Sequence, residues 1–174
     1  MEQKRTKIQQ IIIAVVCTAF LIVLDQFTKY LAVIKLKGQP AFPVIPDVFQ
    51  LTYVENRGAA FGMLQGKKLL FLVLTTVFLA LLCYCYTRML GRKRFRPLRV
   101  ISMFLFAGAV GNLIDRVWHN YVVDFFYFEL IDFPVFNVAD IYITVSCIVF
   151  FIMFIFFYKE EDFTDFFPKK KKDR

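Results

Sequence analysis

The sequence predicts an all-α polytopic membrane protein, with four transmembrane helices and a small extracytoplasmic β-rich segment. Three observations predict it. Of 174 residues, 59% are hydrophobic and 18% aromatic, and the mean hydropathy is +0.57. A soluble domain of this size cannot bury so much apolar surface, because interior volume grows too slowly with chain length. The apolar residues also gather into four runs, each able with its flanks to cross a hydrocarbon core of roughly 30 Å at about 1.5 Å per residue. Finally, the cations crowd the ends of those runs, as the positive-inside bias produces. The net charge of +8 is therefore a membrane signature, and nucleic-acid binding is not expected.

The first helix is expected over about 11–33, where 11–24 is apolar without interruption and the pattern continues past Asp25 and Lys29. Lys4, Arg5 and Lys7 precede it as they would a signal peptide, but no small-x-small cleavage site follows, so a retained helix is expected. The other helices are expected over about 69–90, 98–116 and 138–158. The β-rich segment spans about 38–66. There Phe49, Leu51 and Tyr53 alternate with Gln50 and Thr52, a half-buried strand pattern, and Gly38, Pro40, Pro43 and Pro46 punctuate the stretch before it. Residues 58–64 suggest an apolar surface loop or a short interfacial helix. Residues 1–174 together read as a single membrane-embedded domain.

Orientation follows from the connecting segments. Arg88, Arg92, Lys93, Arg94, Arg96 and Arg99 lie between helices two and three with no acid among them. The amino terminus is basic, and the tail carries Lys169 to Lys172. Segment 115–140 is the reverse, with Asp115, Asp124, Glu129, Asp132 and Asp140 against Arg116. Both termini are therefore expected in the cytoplasm, with 35–68 and 115–137 outside. Cys17, Cys83, Cys85 and Cys147 all lie in apolar stretches, and His119 is the sole histidine, so neither a zinc site nor a disulfide framework is indicated.

Ionisable groups in apolar spans mark function, since a central charge costs about 2.5–3.5 kcal/mol to insert. Asp25 and Lys29 share one face of helix one at the spacing of an ion pair. Gly108, Asn112 and Arg116 recur every fourth residue on helix three, where Ala107, Ala109 and Gly111 suit close helix crossing. Packing explains the glycines but not the amide. Asp115, beside Arg116, reads as structural. Asp124 stands between Val122-Val123 and Phe125-Phe126, with a solvated loop acid as its simplest explanation, and Asp140 sits where an N-cap to helix four would. Brought together by the intervening loop, the two acids would share a proton near neutral pH. One would serve as base toward water and the other as acid toward the leaving group.

Five ordered blocks carry a family resemblance: Asp25-Gln26 with Lys29, Asn56 to Gly62, Gly111 to Arg116, Val122 to Phe125, and Phe136 to Asp140. On these the chain resembles lipoprotein signal peptidase, or signal peptidase II, over nearly its full length. The resemblance implies an intramembrane aspartic endopeptidase with Asp124 and Asp140 as its catalytic pair. It further implies that Asp25, Lys29, Asn56, Gly58, Asn112, Arg116 and Asn137 shape the site and hold substrate. The implied substrates are diacylglyceryl-modified prolipoproteins, cut before the lipidated cysteine. No metal or organic cofactor is implied. A monomer surrounded by membrane lipids is expected, in the bacterial inner membrane, with its site near the periplasmic surface. Phe61, Phe125, Phe126 and Phe136 would line that site, and Arg116 could tie down helix ends or a lipid phosphate. A proton-coupled transporter would place acids near the midplane, whereas here they cluster toward one side. A non-enzymatic assembly factor would leave the paired aspartates incidental.

Overall fold

The computed structural model describes residues 2–58, 67–163 and 166, with the side chains of residues 2–5 left aside. The polybasic tail 169–172, Phe61 and most of the expected 58–64 loop lie outside the described residues. Four long helices form the body: α1 (Glu2–Leu36), α2 (Lys68–Met89), α3 (Arg96–His119) and α4 (Val138–Phe156). Each is long and apolar enough to cross a membrane. Helix α1 outruns the expected 11–33 at both ends because its polar flanks are good helix formers and no Gly or Pro intervenes before Gly38. Helix α3 begins two residues earlier than expected, with Pro97 in its first turn, and ends on left-handed Asn120.

Helix α3 is central, packing against α1, α2 and α4. Half of its most apolar stretch is buried, against 6%, 0% and 11% for α1, α2 and α4. Its small residues make this possible. A Cβ on Gly108 would lie 2.5 Å from the Ala139 carbonyl oxygen, and one on Gly111 would collide with the Asp25 carboxylate. The outer helices turn Val16, Phe20, Val77, Leu81, Ile148 and Ile152 outward. Such surfaces are stable against lipid and would aggregate in water.

A three-stranded antiparallel sheet, ordered β1-β2-β3, covers one end of the bundle: β1 (Phe42–Ile45), β2 (Phe49–Asn56) and β3 (Val122–Tyr127). The first two strands fall within the expected segment. The third corrects the sequence reading, which left 115–137 as a connecting segment. Val122 to Phe125 are all buried, so this strand lacks the alternation that revealed β2. Asn56 pairs with Val122 and Val54 with Asp124. The chain then folds back: the amides of Phe125 and Phe126 donate to the Phe136 carbonyl, and the Phe136 amide returns a bond to Phe126. This fold-back carries Asn137 and the start of α4 against Asp124.

At the opposite end, Gln10 of α1 accepts from the Gly91 amide, and Tyr158 donates to the Arg94 carbonyl. The α1 start, the basic connection and the end of α4 thus share one side. Met89, Phe95, Leu98, Ile101, Tyr158 and Phe166 pack together there. Buried Arg99 donates to the Met89 and Arg92 carbonyls at 2.9 and 2.8 Å, adding to the turn bonds these acceptors receive from the Arg92 and Phe95 amides and bracing the connection after α2.

Candidate active site

The sheet end holds a cavity of about 530 Å³ between α3, α4 and β3, lined by Asn56, Asn112, Arg116, Asp124 and Asp140 among apolar neighbours. The sixteen-residue gap between the two aspartates is closed by the fold-back described above. Asn137 is the hinge. It caps α4, accepting from the Asp140 amide at 3.1 Å, while its own amide donates to an Asp140 oxygen at 3.2 Å. Asn137 therefore occupies the cap position that the sequence suggested for Asp140, and Asp140 completes a reciprocal capping box from the third helical residue. The Asn137 side chain also donates to Asp124 Oδ1 at 2.6 Å, so one residue grips both carboxylates.

Asn56 Nδ2 donates to the second Asp124 oxygen at 2.8 Å, and Asn56 Oδ1 accepts from the Gly58 amide. Asn112 Nδ2 donates to Asp140 Oδ1 at 2.8 Å. Asp124 is only 1% exposed, a buried strand residue and not a solvated loop acid. Burial, and then the charge on Asp140, push its carboxyl up from 3.8 to about 7, against the pull of the asparagine donors and Lys29. Burial next to a second acid is what a shared-proton carboxylate pair requires.

Behind the cavity Lys29 uses all three ammonium protons: Asp25 Oδ2 at 3.0 Å, Asp115 Oδ2 at 3.1 Å and Asn112 Oδ1 at 2.9 Å. The expected Asp25–Lys29 pair is present, but Lys29 has a second acid. Asp115 bonds to Lys29 rather than to its sequence neighbour Arg116. A lysine only donates, so Asn112 must turn its carbonyl to Lys29 and its NH₂ to Asp140. Arg116 ties elements together, donating to the Gly58 carbonyl at 3.2 Å and lying 4.6 Å over the Phe71 ring. The aromatic lining differs from the expected one. Phe136 lines the cavity with Phe71 and Phe133, whereas Phe125 packs against Ala32 and Val123 and Phe126 lies outside the lining. In a strand adjacent side chains face opposite ways, so Asp124 in the cavity sends Phe125 to the other side.

A family model described as signal peptidase (SPase) II matches residues 17–156. The chain belongs to that family. A lipoprotein signal peptidase of Caldanaerobacter subterraneus subsp. tengcongensis is 49% identical over 144 residues, covering 82% of this chain and 96% of the relative. That of Brevibacillus brevis is 47% identical over 128 residues, 74% and 85% of the two chains. A bacterial membrane enzyme solved in meso at 2.3 Å superposes with a TM-score of 0.70 at 32% identity, covering 92% of this chain and 93% of its own. A second, at 1.9 Å, gives 0.71 at 34% identity, covering 83% and 94%. The apolar helices and this family make the chain a multi-pass membrane protease.

All nine residues singled out by the family resemblance meet around the cavity or directly behind it. Gln26 and Asp115 were not among them. Gln26 Nε2 donates to Asp25 Oδ2, Asp115 Oδ1 and the Gly111 carbonyl at 3.1, 3.1 and 3.2 Å. Its place in an apolar run beside Asp25 was the available signal. A second cavity of about 420 Å³ between α1, α2 and α3 has no carboxylate or cation in its lining.

Proposed function

We propose that the chain is an aspartic endopeptidase that removes the signal peptides of prolipoproteins, with Asp124 and Asp140 as its catalytic pair. The observation that carries this reading is the single residue Asn137 holding both carboxylates at one cavity wall, 2.6 Å from Asp124 and 3.2 Å from Asp140. Asp124 keeps its proton to about pH 7, which suits it to donate first. Water attacks the scissile carbonyl as Asp140 takes its proton, and Asp124 protonates the carbonyl oxygen. The resulting diol collapses: its hydroxyl proton returns to Asp124, the C–N bond breaks, and the proton held by Asp140 goes to the leaving amine. Asn56, Asn112 and Asn137 orient the carboxylates, while Arg116 holds Gly58 at the cavity edge.

The substrates are diacylglyceryl-modified prolipoproteins, cut before the lipidated cysteine. A signal helix and a lipidated cysteine both reside in the membrane, so a site at the helix ends meets them without extracting either. The enzyme sits as a monomer among the lipids of the bacterial inner membrane. The basic connection 88–99 supports cytoplasmic termini and a periplasmic site. Gel mobility of a lipidated model prolipoprotein, incubated in detergent with the protein, Asp124→Asn or Asp140→Asn, tests the reading. Cleavage by the unaltered protein and none by either variant is expected. A purified variant near full activity would remove the aspartic mechanism.

A further inference from the structure

Two acids outside the catalytic pair grip it from behind. Asp115 Oδ2 accepts the peptide N–H of Val123 at 3.1 Å, and Asp25 Oδ1 accepts that of Ala139 at 2.9 Å. Val123 and Ala139 immediately precede Asp124 and Asp140. Both gripping carboxylates converge on Lys29, at 3.0 and 3.1 Å, and Gln26 bridges them from the other side. Asp25, Lys29 and Asp115 are all at most 3% exposed.

Such a buried cluster is poorly explained by stability alone. Replacing buried ion pairs with well-packed apolar groups is often neutral or stabilising. What charged groups supply here is geometry. A bond to the peptide N–H ahead of each aspartate fixes main chain, and so fixes where the side chain starts, on β3 in one case and in the first turn of α4 in the other. Helices α1 and α3 thereby add a second hold on two elements already joined by the Phe126–Phe136 fold-back and by Asn137. We propose that Asp25, Lys29 and Asp115 form a clamp that sets the separation of Asp124 and Asp140, with Asp115 and Asp25 as positioning residues. This inference rests on the dyad reading above.

The separation governs how strongly the Asp140 charge acts on Asp124. Among the described residues the other groups facing Asp124 are Lys29 from α1, Arg116 from α3, and the neutral amides Asn56 and Asn137. Asp115→Leu and Asp115→Asn, assayed per correctly folded molecule, separate a grip from a mere support. Leucine loses the acceptor for Val123, and asparagine keeps it. For Asp115→Leu the expected result is a kcat about a hundredfold lower, the cost typical of a small misplacement of reacting groups. KM should stay within about twofold and the pH limb assigned to Asp124 should move; Asp115→Asn should recover most of the rate. Three outcomes would overturn the clamp: a wild-type kcat and pH profile in Asp115→Leu, equal loss in both variants, or a loss confined to KM.

Should Asp115→Leu fail to fold, backbone hydrogen exchange resolved at Val123 and Ala139 of the unaltered protein decides. Slow exchange at both amides is expected, and fast exchange at either overturns the clamp. Asp124→Asn and Asp140→Asn run alongside keep the two readings apart. If those are active, the dyad fails. If they are inactive while Asp115→Leu keeps the wild-type rate and profile, only the clamp fails.

Discussion

Asp124→Asn should make the protein inactive and, above neutral pH, more stable. In the folded chain burial and the Asp140 charge raise this carboxyl from 3.8 to about 7. A raised value means that the folded state holds the proton more tightly than the unfolded state does. Stability from this group is therefore complete below about pH 4 and declines as pH climbs from 3.8 toward 7. At about 1.4 kcal/mol per pH unit the decline totals roughly 4 kcal/mol. Asparagine carries no charge and escapes it. It also turns an NH₂ toward one of the two amide donors that now serve Asp124, Asn56 at 2.8 Å or Asn137 at 2.6 Å. That lost bond costs about 1–3 kcal/mol. The net gain at pH 8 is then roughly 1–3 kcal/mol, with little gain or a small loss at pH 4–5. Thermal melts of both proteins in one detergent from pH 4 to 8 are the assay. The expected curves cross: the unaltered protein loses melting temperature as pH rises, and the variant stays comparatively flat. Parallel curves would refute the claim that a buried proton near pH 7 belongs to Asp124.

Asn137→Ala removes the α4 cap and the amide that joins the carboxylates; thermal stability should fall by about 2–4 kcal/mol and turnover by at least tenfold, measured on the same preparation. A periplasm-only reporter fused at residue 94 should be silent, and an active one would invert the orientation. One prolipoprotein, compared with and without its diacylglyceryl group in the same detergent, should be cut far faster when lipidated. At about 0.8 kcal/mol per buried CH₂ the acyl chains would anchor the cysteine and set its depth against the proposed dyad, so equal rates would mean that peptide sequence alone is read.

The four spans were legible because lipid exposure is a property of composition: each of the four long helices is apolar over a length that hydrocarbon demands, whatever it packs against. Strand β2 was legible because apolar and polar residues alternate from Phe49 to Tyr53, along a strand that is half-buried. Strand β3 was not, since Val122 to Phe125 are buried on both faces and read as an apolar run. The same burial hid the direction of Phe125, which only the pairing with β2 reveals. Asp25, Lys29, Asn112 and Asp140 stood out as polar residues in apolar surroundings. The identity of Lys29's second acid did not, because Asp115 lies 86 positions along the chain and sequence spacing favoured its neighbour Arg116. Local rules recover partners three or four residues apart; contacts between helices depend on which faces the small residues of α3 allow to meet.

The placing of cations explains how such a pair could keep a proton. A lysine or arginine bonded directly to a buried carboxylate favours its ionised form, and one on each aspartate would strip the dyad of the acid it needs. Among the described residues the hydrogen bonds to the pair come from amides: Asn56 and Asn137 on Asp124, and Asn112 with the Asn137 main chain on Asp140. Lys29 meets Asp140 through the Asn112 amide and spends its charge on Asp25 and Asp115. Arg116 spends its donors on backbone carbonyls and its face on Phe71. Neutral donors orient the paired carboxylates at one wall, and the charged groups that brace them stay one bond removed. That division lets a carboxyl in an apolar cavity titrate near 7 without dismantling the ion pairs that position it.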